Sequence, residues 1–411
     1  MKKVFFIVLV LTACATESTV GPASSSTFVR YFNGGNSDES QALLETTDKG
    51  LLILASTEIT PTDPTILPHS KIKLIKTDAF GNLLWQKLYP DFQDETGVGG
   101  TTLSYRGKGI TALAAGGYVI VGEEIKGGRS KLLIISVDND GTILAKRTVN
   151  SPNERKGVSV AENKAGNYVV LGSIPGLSNN NMMLTEFAKA TLDSLWTRDY
   201  GAGEIINLTN KLFLDNQDLA YWSGSVRKQN TPNPLTRFVK APLNSPLTTF
   251  DDSPASQFTE TFNDMLSLGA GAFAMAGKSN STKNNSTGSF NISYKKVIGT
   301  TALINQTYPI KDQDGDANGN SLCLAHDGGF VLLGTSKISG ATGRGETDYC
   351  LVKIDGFGTP IWTKTYGSKF EDVGVSIITT SDGGHVILGT TNLANIKTIL
   401  LMKTDQQGNI Q

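Results

Sequence analysis

The sequence predicts an all-β fold, a seven-bladed β-propeller closed by an N-terminal strand that completes the last blade. Three observations predict this fold. Glycine accounts for 44 of the 411 residues, one strand-like motif recurs seven times, and the last copy of the motif lacks a strand that the N-terminus supplies. Glycine at this frequency, without a collagen-like period, indicates many tight turns and therefore a β-rich chain.

The recurring motif is a glycine-containing or polar turn, an apolar strand and a small closing residue. Successive closing residues are 67, 50, 52, 53, 57 and 55 positions apart, which is nearly constant except for one insertion. They are Ala55, Gly122, Gly172, Gly224, Gly277, Gly334 and Gly389. Self-similarity with such a period is typical of propellers and other repeat folds. Copies four and five lack the Asp-Gly-Gly turn of the best-matching copies, so their strand limits are the least defined.

Each copy extends to four strands. In the seventh copy, Val375–Thr380 precedes the turn and Thr398–Asp405 follows the motif strand. In copies one and six a fourth strand is visible as Leu83–Tyr89 and Pro360–Tyr366. The preceding turns begin with Asp and end with Gly, because Asp can bond its own backbone and Gly can adopt a positive φ. Four antiparallel strands in each of seven repeats predict the blades of a propeller.

The two ends of the repeat region complement each other. The seventh copy stops at Gln411 after its turn, without a fourth strand, and Thr27–Gly34 resembles the end of a fourth strand such as Thr363–Gly367. An N-terminal strand in the last blade would leave no open sheet edge, as a closed ring requires. We therefore predict that residues 28–411 form the propeller.

The first residues predict a targeting signal rather than a part of the folded domain. Residues 1–13 combine a basic start with the eight-residue apolar run Val4–Leu11, which is far shorter than the roughly 20 residues of a membrane-spanning helix. Residues 11–14, Leu-Thr-Ala-Cys, resemble the bacterial lipobox, in which the cysteine is lipidated. Residues 1–13 are predicted to be a lipoprotein signal peptide, Cys14 the lipidated residue and 14–27 a flexible tether. An ordinary secretory peptide is the alternative.

The repeat motifs resemble a known family. The Asp-Gly-Gly-aromatic-Val-Ile-any-Gly segment, the Lys-Thr-Asp turn and the Trp-any-Lys-any-Tyr-Gly strand are similar to the propeller-repeat lipoproteins of Bacteroidetes, of the kind called delta-60 β-propeller repeats. The resemblance covers about residues 28–411. It implies a lipid-anchored protein of the outer membrane, either periplasmic or exposed at the cell surface, but it implies no reaction.

Charge and motif searches exclude several functions. Thirty-seven basic and 38 acidic residues give a net charge of −1, which provides no general attraction to nucleic acid. The three histidines, His69, His326 and His385, show no catalytic or metal-ligand spacing, and His385 takes a position that is aromatic in other copies. We therefore expect no enzyme, although paired glycosidase carboxylates cannot be recognised from one sequence.

One segment resembles a calcium loop, and two cysteines lie in the sixth copy. Asp312, Asp314 and Asp316 alternate before Gly319, but the bidentate glutamate of an EF-hand is missing. No cofactor is expected, with calcium as the alternative to a solvated acidic loop. Cys323 and Cys350 fall on strands with the motif strand between them, too far apart to bond, so we predict buried free thiols.

Loop lengths indicate where a ligand would bind. The connections between second and third strands are long in several copies and share one face with the connections between blades. Their basic residues Arg129, Arg227, Lys228 and Arg344 are predicted to contact a partner. The main prediction is a non-enzymatic envelope lipoprotein that binds another envelope protein; the alternative is a glycan-binding or carbohydrate-active lipoprotein. A concave mouth with aromatic side chains and carboxylates would favour the alternative.

Overall fold

The computed structural model describes residues 27–410 with internal gaps at 63–65, 91–101, 176–180, 201–203, 209–210, 228–232, 246–248, 253–257, 282–289, 299–300, 312 and 339–345. The described residues form seven antiparallel sheets and contain no helix. In particular, the described part of the chain offers no helix of the length and apolarity that crossing a bilayer would require.

The strands follow the predicted repeat. They are β1 (Phe28–Phe32); blade 1, β2 (Ser37–Glu45), β3 (Leu51–Ile59), β4 (His69–Thr77) and β5 (Leu83–Tyr89); blade 2, β6 (Leu103–Ala112), β7 (Tyr118–Lys126), β8 (Arg129–Val137) and β9 (Ile143–Thr148); blade 3, β10 (Lys156–Glu162), β11 (Tyr168–Ile174), β12 (Asn181–Phe187) and β13 (Ser194–Tyr200); blade 4, β14 (Glu204–Leu208), β15 (Phe213–Leu214), β16 (Leu219–Arg227), β17 (Leu235–Pro242) and β18 (Thr249–Asp252); blade 5, β19 (Glu260–Gly269), β20 (Ala272–Ser279), β21 (Asn291–Ile298) and β22 (Thr301–Tyr308); blade 6, β23 (Gln313–Leu324), β24 (Phe330–Ile338), β25 (Asp348–Ile354) and β26 (Pro360–Tyr366); and blade 7, β27 (Asp372–Thr379), β28 (His385–Leu393) and β29 (Ile396–Thr404).

The blades form the predicted seven-bladed propeller. The first strands of neighbouring blades contact one another and therefore surround the centre, and each sheet runs outward from first to fourth strand. The core lies between blades: β4 is buried along its whole length, whereas the outer strand β5 buries only Tyr89. We call the end with the turns between strands one and two, and three and four, the short-turn face; the opposite end is the connector face.

The ring closes as the sequence predicts. Strand β1 pairs with β29 of blade 7 in antiparallel register, with Phe28 opposite Lys403. Phe28 also packs against the blade 1 turn so closely that a Cβ atom on Gly81 would lie 2.6 Å from the Phe28 ring. Ser40 of blade 1 donates a hydrogen bond of 2.7 Å to the carbonyl of Gly389 in blade 7. The closing strand thus joins the last blade to the first.

The recurrence of the fourth-strand motif along the chain has a structural cause. Its tyrosine reaches the next blade and donates a hydrogen bond to the carbonyl of the glycine that ends the Asp-to-Gly turn there. Tyr89 bonds Gly141 at 2.5 Å, and Tyr308 bonds Gly358 at 2.8 Å. Tyrosine and turn glycine are therefore two halves of one contact between blades, which explains why they recur together.

The cysteine prediction is confirmed. Cys323 on β23 and Cys350 on β25 are free and buried, and β24 lies between their strands. Burial raises the pKa of each thiol to about 12. His385 is also a buried strand residue, 1% exposed, as its aromatic counterparts in other copies predict.

Two local features differ from the sequence interpretation. Asp314 and Asp316 belong to the long first strand of blade 6 rather than to a loop, with a register shift between Gln313 and Ala317. In blade 4 the inner edge consists of two strands, β14 and β15, both paired with β16. Copies four and five lack the Asp-Gly-Gly turn, which leaves their strand limits the least defined in the sequence, but both form complete blades in the structure.

Candidate functional site

The first strand of every blade carries a β-bulge at the same level. The register shifts place the extra residue at Gln41, Lys108, Val158, Ile206, Asn263, Asn320 and Val375. A bulge re-aims side chains and is frequent next to active sites. Here seven bulges surround the axis of the propeller, and those of blades 1, 2, 5 and 6 carry polar residues.

A central channel extends from these bulges to the short-turn face. Its cavity has a volume of about 640 Å³ and is lined by the first strands of all seven blades. Lys108 donates a hydrogen bond of 3.1 Å to the amide oxygen of Gln41. Lys211 also lines the channel, is exposed, and forms no ion pair with any described residue.

The channel carboxylates already have hydrogen-bond donors. Asp264 is 4% exposed and accepts bonds from the hydroxyl of Ser321 at 2.7 Å and the backbone amide of Leu322 at 3.1 Å. Glu162 accepts a bond of 2.8 Å from the amide of Ala114 and lies 3.4 Å from the Lys189 ammonium group. These acids fix the wall of the channel.

A groove between blades 4 and 5 opens on the same face and also has a volume of about 640 Å³. It shares Phe213 and Leu214 of β15 with the channel, so the two cavities adjoin. Its lining comes from the blade 4 turn, from Tyr221 and Lys240, and from the blade 5 turn, in all Phe213, Leu214, Asp215, Asn216, Gln217, Leu219, Tyr221, Lys240, Ser267, Gly269, Ala270, Gly271, Phe273 and Ile298.

Tyr221 is the centre of the groove chemistry. Its ring lies 5.4 Å from the ring of Phe273, and its hydroxyl donates a hydrogen bond of 3.2 Å to Asp215. The ammonium group of Lys240 lies 5.8 Å from the Tyr221 ring centre. An aromatic surface is thus flanked by one anion and one cation, which is the kind of lining that orients a polar ligand in a pocket.

Asp215 is held in its charged form. Partial burial would raise its pKa, but hydrogen bonds from the backbone amides of Leu219 at 3.0 Å and Gln217 at 2.8 Å lower it, with help from Tyr221 and Lys240. The pKa of Tyr221 is raised, first by burial and then by the Asp215 charge. At neutral pH the groove therefore contains a carboxylate and a protonated phenol.

Lys240 occupies a repeated position with a different environment. In blades 1, 6 and 7 the corresponding third-strand lysine binds an aspartate of its own blade's first turn: Lys76 to Asp48 at 2.9 Å, Lys353 to Asp327 at 2.7 Å, and Lys403 to Asp382 at 2.5 Å. In blade 4 the turn position of that aspartate is Gln217, because the turns close at Asp215–Leu219 and Thr46–Gly50 in the same way. Lys240 is exposed and faces the groove.

Of the four residues that the sequence selected as a partner site, the structure describes two, Arg129 and Arg227. Arg129 is exposed at the start of β8, after a two-residue turn rather than a long loop. Arg227 ends β16 on the same face, whereas Lys228 and Arg344 lie outside the described residues, as does Cys14. The partner contact and the lipidation stay predictions.

The metal prediction also remains open. Asp312 lies outside the described residues, and Asp314 belongs to β23. Asp316 is exposed and accepts a hydrogen bond of 3.0 Å from the amide of Phe290. Among the residues that the structure describes, no three histidine, cysteine or acidic side chains form a group that could hold a metal ion.

Sequence reasoning missed Tyr221, Asp215 and Lys240 because it followed long connectors, which lie on the other face. The signal was nevertheless present in the repeat. Copy four has Asp215-Asn-Gln217-Asp where the regular copies have their turn aspartate, and a tyrosine opposite the lysine position. Comparison of third-strand lysines with turn aspartates would have marked this blade as different.

Comparisons with known proteins concern the fold. No model of a protein family matches the sequence, and no curated protein is detectably similar to it. The structure is similar to the polysaccharide lyase Uly1, with a TM-score of 0.52, 10% identity and 90% of both chains covered. It is similar to a puromycin hydrolase, with a TM-score of 0.50, 11% identity, and 86% of this chain but only 50% of that chain covered.

These comparisons contradict the prediction that the protein is not an enzyme. Both solved structures are enzymes, a lyase and a hydrolase, and the two comparisons cover 90% and 86% of this chain. The prediction rested on the failure to find catalytic spacing in the sequence, but a propeller collects its site from several blades, so local spacing is a poor guide. At this level of identity the likeness shows a shared fold.

Proposed function

We propose that the protein is a carbohydrate-active propeller that binds a polysaccharide on its short-turn face, along the groove between blades 4 and 5 and into the mouth of the central channel. The observation that carries the proposal is the Tyr221 ring, which lies between the Asp215 carboxylate and the Lys240 ammonium group in a groove that adjoins the channel.

The groove suits a sugar for physical reasons. A pyranose ring has an apolar face of C–H groups and a polar edge of hydroxyl groups, so it needs an apolar surface and hydrogen-bonding groups side by side. Tyr221 and Phe213 supply apolar surface, and Asn216, Gln217 and Lys240 supply polar groups. Two adjoining cavities of this size suit an extended chain better than one small molecule. A polysaccharide lyase among the similar propellers agrees with this proposal.

Affinity electrophoresis tests the proposal. The purified protein is run through gels that contain soluble polysaccharides, and its retardation is compared with that of Tyr221→Ala. We expect a retarding polysaccharide for which Tyr221→Ala weakens binding at least tenfold, or about 1.4 kcal/mol. Tyr31→Ala is the matched control, because Tyr31 is 51% exposed on β1, far from the groove. Absence of retardation across neutral and acidic polysaccharides, or equal losses in both variants, would refute the proposal.

We propose in addition that Cys14 anchors the protein in the outer membrane of a bacterial envelope, as the lipobox-like Leu-Thr-Ala-Cys sequence and the short apolar run support. Metabolic labelling with an alkyne fatty acid, followed by membrane fractionation, tests this. Cys14→Ala should lose the label and leave the membrane fraction, whereas Cys323→Ala should keep both. Labelling that persists in Cys14→Ala would contradict the anchor.

A further inference from the structure

The regular blades show what their third-strand lysine binds. In blade 1, Lys76 is buried and its ammonium group lies 2.9 Å from the Asp48 carboxylate at the short-turn face. Lys353 and Lys403 repeat this contact in blades 6 and 7. The propeller therefore contains three examples of one arrangement, in which a lysine at this strand position is neutralised by a carboxylate at the turn.

Blades 4 and 5 keep the lysine and lose the acid. In the strand register, Lys240 lies opposite Tyr221 and Lys296 lies opposite Ala274, as Lys76 lies opposite Leu52. In each blade the residue opposite the lysine precedes the small closing residue by three positions. Gln217 takes the place of the turn aspartate in blade 4. Neither Lys240 nor Lys296 forms an ion pair with any described residue. The missing acids belong to the two blades that border the groove.

The acidic side chains that line the groove and the channel already accept hydrogen bonds from other groups of the protein. Both oxygens of Asp215 accept hydrogen bonds, one from backbone amides and one from Tyr221, and Asp264 and Glu162 are bonded within the channel wall. The ammonium groups of Lys240 and Lys211 are exposed in the groove and in the channel and can donate hydrogen bonds to a ligand. Charge-assisted hydrogen bonds from a lysine to an anionic group such as a carboxylate are roughly twice as strong as those between neutral groups. The groove contains the Asp215 carboxylate, but no described carboxylate forms an ion pair with Lys240 as the turn aspartates of blades 1, 6 and 7 do with their lysines.

We infer that the ligand of the groove is an acidic polysaccharide, and that a carboxylate on one of its sugars binds Lys240 in place of the turn aspartate that blade 4 has lost. This inference rests on the proposed function and names the class of polysaccharide. The sugar that bears the carboxylate stacks on Tyr221, and the chain continues past Phe213 toward Lys211 in the channel mouth.

Restoring the lost acid is the sharpest test. Gln217→Asp places a carboxylate where the regular blades have one, so it should neutralise Lys240 internally and compete with the ligand. Lys240→Met removes the cation. Two controls match them: Gln407→Asp adds the same charge to an exposed turn of blade 7, and Lys369→Met removes an exposed lysine that lies 5.2 Å from the Phe370 ring, away from the groove.

The probes are polygalacturonate against its carboxyl-reduced, neutral form, and dextran sulfate against dextran. We expect the protein to bind polygalacturonate at least tenfold more tightly than the reduced polymer, and both groove variants to abolish that preference while both controls keep it. Equal binding of polygalacturonate and its reduced form would overturn the inference and leave the proposed function intact. A preference confined to dextran sulfate would overturn the assignment of a carboxylate. Failure to bind any of the four polymers, together with the neutral panel above, would refute the proposed function itself.

Discussion

Replacement of His385 by phenylalanine should reduce, by about 2 kcal/mol, the stability that the protein loses between pH 7.5 and pH 5. His385 lies on β28, is 1% exposed, and has its Nδ1 atom 3.3 Å from the Thr379 hydroxyl. Burial, and next the positive charge of Lys353, lower its pKa from 6.5 to about 4. Phenylalanine fits the position because Phe273 and Phe330 occupy it in blades 5 and 6.

The size of the effect follows from proton linkage. The folded protein has the lower pKa, so the unfolded chain binds the proton first as the pH falls. The contribution is complete above pH 6.5 and is lost progressively toward pH 4. Between pH 7.5 and pH 5 the free energy of unfolding should fall by about 2 kcal/mol because of this one histidine, out of a total of about 3 kcal/mol at lower pH.

Equilibrium unfolding in urea, followed by tryptophan fluorescence at pH 7.5 and pH 5, measures this difference. His385→Phe should show a smaller loss than the wild type by about 2 kcal/mol. His326→Gln is the comparison variant, because His326 is exposed on the neighbouring blade and is the smallest of the causes of the lowered His385 pKa, so it should change the wild-type loss much less than His385→Phe does. If His385→Phe loses as much stability as the wild type between the two pH values, the reasoning about a buried neutral imidazole is wrong.

Three further predictions test the ring. Tyr308→Phe removes the hydrogen bond of 2.8 Å to the next blade and should cost about 1 kcal/mol in urea unfolding; an unchanged midpoint would show that the contact contributes nothing. Cys323 and Cys350, buried with their pKa raised to about 12, should react with a thiol reagent only in denaturant; rapid labelling of the folded protein would contradict their burial. Deletion of Phe28–Phe32 leaves the edge of β29 unpaired and should lower the melting temperature and cause aggregation; a monomer of wild-type stability would show that closure is not needed.

The sequence predicted the fold well because the features that define a propeller repeat. The small closing residues of copies six and seven allow close approach of neighbouring blades: a Cβ atom on Gly389 in blade 7 would lie 2.4 Å from the Tyr349 ring in blade 6. The Asp-to-Gly turn and the fourth-strand tyrosine of the preceding blade are joined by one hydrogen bond, which accounts for their recurring together. The tyrosine contact is present at Tyr89, Tyr308 and Tyr366, and the repetition of several weak signals along the chain makes a strong one.

The candidate site could not be predicted in the same way, because it lies where the repeat fails. Lys240 looks ordinary in the sequence, and it becomes distinctive only when Gln217 is known to occupy the turn position of Asp48. The contact between Tyr221 and Phe273 joins two blades and has no fixed sequence spacing. Long connectors drew attention to the connector face, since loop length is visible in a sequence whereas the absence of a partner acid is visible only in the structure.

This pattern has a physical reason. A closed ring needs the contacts between its blades, and the regular blades 1, 6 and 7 hold their turns in place by an internal pair of lysine and aspartate. Blades 4 and 5 are held instead by an aromatic cluster of Phe213, Tyr221, Phe238 and Phe273. Apolar packing stabilises those blades without the ion pair, and Lys240 of blade 4 is exposed at the surface. Blade 4 thus has Gln217 and an aromatic cluster where the regular blades have a pair of aspartate and lysine. This difference gives the short-turn face both its aromatic surface and its exposed cation, Lys240.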